Sequence, residues 1–137
     1  MRNALPLLLV EDDLVDVMTV KRALRELGAV NPLHVVHNGE QALAYLQAGA
    51  PVSPGLILLD LNMPRMNGLE FLRHVKADPQ LSRIPVVVLT TSREEKDRLE
   101  SFRHSVAGYM VKPVDYPQFV EVMRTIQAYW SLSESAP

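Results

Sequence analysis

Leu56-Ile57-Leu58-Leu59-Asp60 runs four apolar residues straight into a carboxylate, and Leu61-Asn62-Met63-Pro64 follows. An unbroken apolar run of this length fits a strand covered on both faces. A carboxylate at the mouth of such a strand is costly unless something there needs it. Three other polar sites end apolar runs in the same way: Glu11-Asp12 after Leu7-Leu8-Leu9-Val10, Thr90 after Val86-Val87-Val88-Leu89, and Lys112-Pro113 after Tyr109-Met110-Val111. If these runs are strands of one parallel sheet, all four sites meet at one edge. That edge then holds an acid cluster, a hydroxyl and a lysine.

Apolar runs alternate with helix-like segments along the whole chain. Leu5 to Val10 is followed by Asp13 as a helix cap, with Val17, Val20, Leu24 and Leu27 on one face and Gly28 at the end. Leu33 to Val36 is followed by Asn38 and Gln41 at capping-box spacing, opening a helix to about Leu46. Residues 49–55, rich in Gly and Pro, form a loop. Leu56 to Leu59 leads through 62–68 into a helix carrying Leu69, Leu72 and Val75. A polar connection, 77–83, precedes Ile84 to Leu89. Ser92 with Glu95 makes a second capping box, opening a charged helix to about His104 with a thin apolar face of Leu99, Phe102 and Val106. Tyr109 to Val111 is the last run. Asp115 caps the final helix through Phe119, Val122, Met123, Ile126 and Trp130, and Ser131 to Pro137 reads as a frayed tail. This (βα)5 order specifies an α/β fold, a doubly wound five-stranded parallel sheet with helices on both faces. Ligands of such sheets bind at the carboxyl ends of the strands, where all four polar sites fall.

Composition is that of an ordinary globular protein, 47% hydrophobic and 22% charged. The net charge of −2 favours neither nucleic acid nor an anionic membrane. There is no cysteine, which excludes disulfides and thiolate metal sites. No apolar stretch approaches the roughly 20 residues that cross a bilayer. Met1-Arg2-Asn3-Ala4 leads into a run too short and too acidic at its end for a signal peptide. The expected location is the cytoplasm.

Clustered acids cannot all stay ionised cheaply without a counter-charge. Oxygen donors of this kind suit Mg2+ (or Mn2+). Asp12 and Asp60 are the expected direct ligands, Glu11 acts directly or through water, and the backbone carbonyl of Asn62 is a third protein ligand. With the cation bound, Asp60 is an oxygen nucleophile toward a phosphoryl donor, and Lys112 and the Thr90 hydroxyl are placed to compensate charge on the phosphoryl oxygens. Each residue also has a structural reading. Asp13 is a cap rather than a ligand, a Lys before Pro is usually a solvated loop residue, and a Thr ending a strand is usually structural. His34, His37, His74 and His104 form no metal-ligand pattern, and Arg93 to Arg98 is a solvated helix face.

At Val10-Glu11-Asp12, Leu59-Asp60-Leu61-Asn62-Met63-Pro64 with Asn67-Gly68, Leu89-Thr90-Thr91 and Val111-Lys112-Pro113, the chain resembles the response-regulator receiver domains of two-component signalling. The resemblance runs from Leu5 to about Trp130. It implies a flavodoxin-like sheet of order 2-1-3-4-5, and a single receiver domain over 1–137 with its core in 5–130. It implies that Asp60 accepts phosphate from a phosphohistidine on a sensor histidine kinase, that Glu11 and Asp12 are the acidic Mg2+ pair, and that Lys112 pairs with the phosphate. Thr90 is then the switch hydroxyl, Tyr109 the switch aromatic, and the Lys112–Pro113 bond cis. Two departures stand out: Glu11 is Glu where Asp is commoner, and Thr91 is β-branched where many receivers carry a smaller residue. The connection 76–85 and the ending 113–119 with Tyr129-Trp130 resemble stand-alone receivers that partner phytochrome-type kinases.

The expected output is a contact with a target protein or relay of the phosphoryl group to another histidine protein. Val120, Tyr129 and Trp130 lie beyond the main apolar stripe of the last helix, which suggests a homodimer through the fourth helix, fifth strand and fifth helix; alternatively Tyr129 and Trp130 close the bottom of the core. A phosphatase of the haloacid-dehalogenase type also uses an Asp nucleophile and Mg2+, but would carry a second Asp where this chain has Asn62. A phosphate-independent module on the same fold is disfavoured by the complete set Glu11, Asp12, Asp60, Thr90 and Lys112. Flavin binding is disfavoured by the lack of a phosphate loop after the first strand.

Overall fold

The computed structural model describes residues 5–49 and 53–132. Its elements are β1 Leu7–Val10, α1 Leu14–Glu26, β2 Leu33–Val36, α2 Gly39–Gln47, β3 Leu56–Leu59, α3 Gly68–Ala77, β4 Val86–Thr90, α4 Glu95–Arg103, β5 Gly108–Val111 and α5 Tyr116–Leu132. Every strand pairing is parallel and the order is β2-β1-β3-β4-β5, as expected. β1 and β4 start at Leu7 and Val86 rather than at Leu5 and Ile84. Pro6 and Pro85 precede them, and a proline has no N–H to give the ladder.

The central strands β1, β3 and β4 are buried throughout, which is why they read as continuous apolar runs. Alternate side chains feed two separate cores. Leu7, Leu9, Leu56, Leu58, Val87 and Leu89 face α1 and α5, meeting Val20, Leu24, Phe119, Met123 and Ile126. Leu8, Val10, Ile57, Leu59, Val86 and Val88 face the other side, meeting Ala42, Leu46, Phe71, Leu72 and Val75 of α2 and α3. Each fully buried Leu, Ile or Val contributes about 1.5–3 kcal/mol relative to exposure.

The helix starts follow their caps in four of five cases. Asp13 Oδ1 accepts from the amides of Val15 and Asp16 at 2.8 and 3.2 Å. Asn38 accepts from Gln41 N at 2.9 Å, while the Gln41 side chain accepts from His37 N at 2.8 Å rather than from the cap residue. Asn67 and Glu70 form a reciprocal capping box, which the sequence reading did not include. Asp115 accepts from Gln118 N at 3.3 Å. Ser92 is the exception. Its hydroxyl donates to Asp97 Oδ2 at 2.6 Å, and α4 begins only at Glu95, behind Glu94, which makes no side-chain capping bond. The polar connection after α3 also holds a short 3-10 turn, Leu81–Arg83.

Two expectations about apolar faces are corrected. Leu99 and Phe102 of α4 do not face inward but are 54% and 52% exposed; the helix residue that is buried is Ser101. In α5, Val120 and Trp130 belong to the core, and the Trp130 indole N–H donates to Gly55 O at 3.3 Å. Because α5 packs on α1 as well as on the sheet, it buries a wider stripe than a sheet contact alone requires. Tyr129 remains half exposed. The helix continues to Leu132, past the expected start of the tail; residues 133–137, residues 1–4 and part of the 49–55 loop lie outside the described residues. No helix among the described residues is long and apolar enough to cross a membrane.

Candidate functional site

Register brings the four polar sites together. Val10 pairs with Leu59 and with Val36, so the next residues, Glu11 and Asp60, stand side by side. Their amides prolong the ladder, Asp60 N donating to Val10 O at 3.0 Å and Glu11 N to Val36 O at 2.9 Å. Thr90 pairs with Val111, and Lys112 N donates to Thr90 O at 2.8 Å, so β5 delivers the lysine to the same edge. A close approach supports the floor of the site. Gly68 N donates to Leu61 O at 3.1 Å, and a Cβ at residue 68 would stand 2.6 Å from Leu61 Cα and against the Asp60 carbonyl.

Glu11, Asp60, Thr90 and Lys112 are buried, whereas Asp12 and Asn62 are exposed at the mouth. One carboxylate oxygen each from Glu11, Asp12 and Asp60 lies within 4.8 Å of the others. Lys112 Nζ donates to Glu11 Oε1, donates to Asp16 Oδ2 at 2.8 Å, and stands 3.9 Å from Asp60 Oδ2. The extra methylene of Glu11 lets its other oxygen accept from Asp13 N at 3.2 Å. Asp60 Oδ1 is buried and has no hydrogen-bond partner. A carboxylate oxygen left without a donor, beside two further carboxylates, fits a hard divalent cation.

The electrostatics agree. Burial pushes the Glu11 carboxyl up to about 7, and the neighbouring Asp60 charge adds to that, against the opposing hydrogen bond from Lys112. Burial pulls on Lys112 in the opposite sense, but its bonds to Asp16 and Glu11 prevail and hold its ammonium above the usual lysine range. The site therefore carries more negative charge than its one lysine neutralises.

The Thr90 hydroxyl is fully buried and accepts from Ser92 N at 3.3 Å. Tyr109 is half-buried and its hydroxyl donates to Ser92 O at 3.0 Å. Thr91 is exposed beside them. The Lys112–Pro113 bond is trans, not cis: no described peptide bond is cis, and X–Pro bonds intrinsically favour trans.

Three members of the site were not found from sequence. Ser92 links Thr90, Tyr109 and Asp97 through its backbone and hydroxyl. His37 places Nδ1 3.1 Å from Glu11 O. Asp16 reaches Lys112 from α1. A signal existed for Asp16: it follows Asp12 by four residues, and helical side chains lean toward the helix N-terminus, here the sheet edge.

The chain belongs to the response regulator receiver domain family, whose pattern matches residues 7–124. It is 36% identical over 135 residues to the response regulator Rcp1 of Synechocystis sp., covering 96% of this chain and 92% of that one. The structure of the phosphorylated cyanobacterial phytochrome response regulator RcpA matches with a TM-score of 0.90 at 35% identity, over 97% of this chain and 98% of that one. The Mn2+-bound form of Rcp1 matches with a TM-score of 0.88 at 35% identity, over 97% and 99%.

Proposed function

We propose that this receiver accepts a phosphoryl group on Asp60 from the phosphohistidine of a sensor histidine kinase, and that the reaction requires Mg2+ or Mn2+. The observation that carries this reading is the cluster of Glu11, Asp12 and Asp60 oxygens within 4.8 Å, with Lys112 against it. Glu11, Asp12, Asp60 and the Asn62 backbone carbonyl would hold the cation. Bound there, it would offset the acid charge and the charge on the phosphoryl oxygens. Asp60 forms the new P–O bond as the donor's N–P bond breaks, and that electron pair stays on the imidazole nitrogen. Lys112 and the Thr90 hydroxyl meet the phosphoryl oxygens. Thr90 and Tyr109, both bonded to Ser92, act as the switch that carries occupancy of the site toward α4. Asn62 stands where a hydrolytic enzyme would carry its acid, so the chain turns over only its own phosphate.

The donor must bring a phosphohistidine to the mouth. Exposed apolar Leu14, Val15 and Met18 on α1, with Val114 after Lys112, frame that mouth for a helical partner. A phytochrome-type kinase is the favoured donor, because RcpA is a phytochrome response regulator. Output is by contact with a target protein or by relay to another histidine protein, in the cytoplasm. A homodimer through α4, β5 and α5 is the second part of the proposal, now resting on exposed Leu99, Phe102 and Tyr129 rather than on Val120 and Trp130. Only monomer in sedimentation at high concentration, with and without a phosphate mimic, would dismiss the dimer.

The central test is intact mass after incubation with acetyl phosphate, with and without Mg2+, with Asp60→Asn as control. One Mg2+-dependent phosphoryl increment, lost in the variant, is expected. An increment retained in the variant, or none even with a phosphorylated kinase, overturns the reading.

A further inference from the structure

We propose that Asp16 is a positioning residue for Lys112, holding its ammonium off Asp60 so that the cation and the phosphoryl group can reach Asp60. The inference rests on the reading of the site given above. Lys112 Nζ has three protons to donate and three carboxylates around it. It donates to Glu11 Oε1 and to Asp16 Oδ2, and Asp60 Oδ2 at 3.9 Å is too far for a hydrogen bond. Of these carboxylates, Glu11 and Asp60 belong to the acid cluster and Asp16 does not. Asp16 is therefore the one anchor that Lys112 keeps when a cation takes the cluster.

The anchor is itself held. Asp16 N donates to Asp13 Oδ1 at 3.2 Å, and Val17 and Val20 bury the next turns of α1 in the core. The side chain reaches back toward the sheet edge from a fixed turn. Without it, Lys112 is drawn to the remaining buried acids, and Asp60, whose Oδ2 stands 3.9 Å from Nζ and whose Oδ1 has no partner, is the next acceptor within reach. A lysine seated there competes directly with the cation.

The test is Mg2+ binding by calorimetry, a readout independent of phosphorylation, followed by the Mg2+ dependence of labelling with acetyl phosphate. Asp16→Asn is expected to weaken Mg2+ binding about fivefold, the scale of one partly exposed charge-assisted hydrogen bond. Asp16→Glu is expected to recover most of it. In a Lys112→Met background, Asp16→Asn should have no effect, since the residue acts through the lysine. Should Lys112→Met fail to fold, the comparison of Asn and Glu variants is made at about 0.05 and 0.5 M KCl. A bulk charge effect fades there, whereas a buried contact is screened much less. Unchanged Mg2+ affinity in Asp16→Asn, an effect of equal size without Lys112, or one that fades in salt overturns the proposal. In each case wild type still binds Mg2+ and takes up phosphate, so the site reading stands; a wild type that does neither removes both.

Discussion

Asp60→Asn should make the metal-free protein more stable, although it deletes the residue on which the proposed function turns. The magnitudes compete. At an effective dielectric near 20, loss of attraction to Lys112 at 3.9 Å costs about 4 kcal/mol. Repulsion from Glu11 at up to 4.8 Å is worth about 3.5 kcal/mol at the same dielectric. Asp12 is exposed, and its share is about 1 kcal/mol after solvent screening. These terms nearly cancel, so burial decides. Asp60 is 6% exposed and its Oδ1 has no donor; Asn keeps a carbonyl oxygen there but removes the buried charge, which relieves about 1–3 kcal/mol of desolvation penalty. The variant should therefore gain about 1–3 kcal/mol in EDTA at pH 8. Added Mg2+ should stabilise wild type and leave the variant nearly unmoved, so the order of stabilities narrows or reverses. Urea unfolding followed by circular dichroism reads both. A variant equal to or weaker than wild type in EDTA would refute the reasoning, because the buried charge would then be fully compensated.

With Glu11 in its proposed role as a cation ligand and burial pushing its carboxyl up to about 7, Mg2+ affinity should fall as pH drops below about 7, with proton release visible by calorimetry in buffers of different ionisation enthalpy. The same shift has a stability sign. The folded-state value lies above the ordinary 4.5, so the folded chain binds the extra proton between about 4.5 and 7, and metal-free stability from this group is lost as pH rises through that window; denaturation in EDTA at pH 5 and pH 8 checks it. Gly68→Ala should cost about 1–3 kcal/mol and slow labelling of Asp60, since the new methyl overlaps the backbone of Asp60 and Leu61; an unchanged urea midpoint would contradict that packing.

Local signals read well where one residue acts on its own neighbours. Asp13, Asn38 and Asp115 cap helices because an acceptor before an apolar-periodic stretch has few other uses. Ser92 carries the same spacing, but its hydroxyl donates to Asp97 and accepts only from Glu94 N at 3.3 Å, so it holds the turn before α4 while the helix itself starts at Glu95. The strand ends placed Glu11, Asp60, Thr90 and Lys112 at one edge, because parallel register follows from continuous apolar runs. The Asp16–Lys112 bond spans 96 positions, and no local pattern ties its two ends. Leu99, Phe102 and Trp130 show the limit of hydrophobic periodicity: it marks apolar faces, not which of them the neighbouring helix covers.

The alternation of β3, with Leu56 and Leu58 turned to α1 and α5 and Ile57 and Leu59 turned to α2 and α3, makes the sheet a partition. Repacking around Met123 has no direct path to Phe71, so volume changes on the two sides should add rather than interact. A lineage can thus remodel one flank for a new partner while the other stays as it was. Only the backbone of the central strands, shared by both, must be inherited intact.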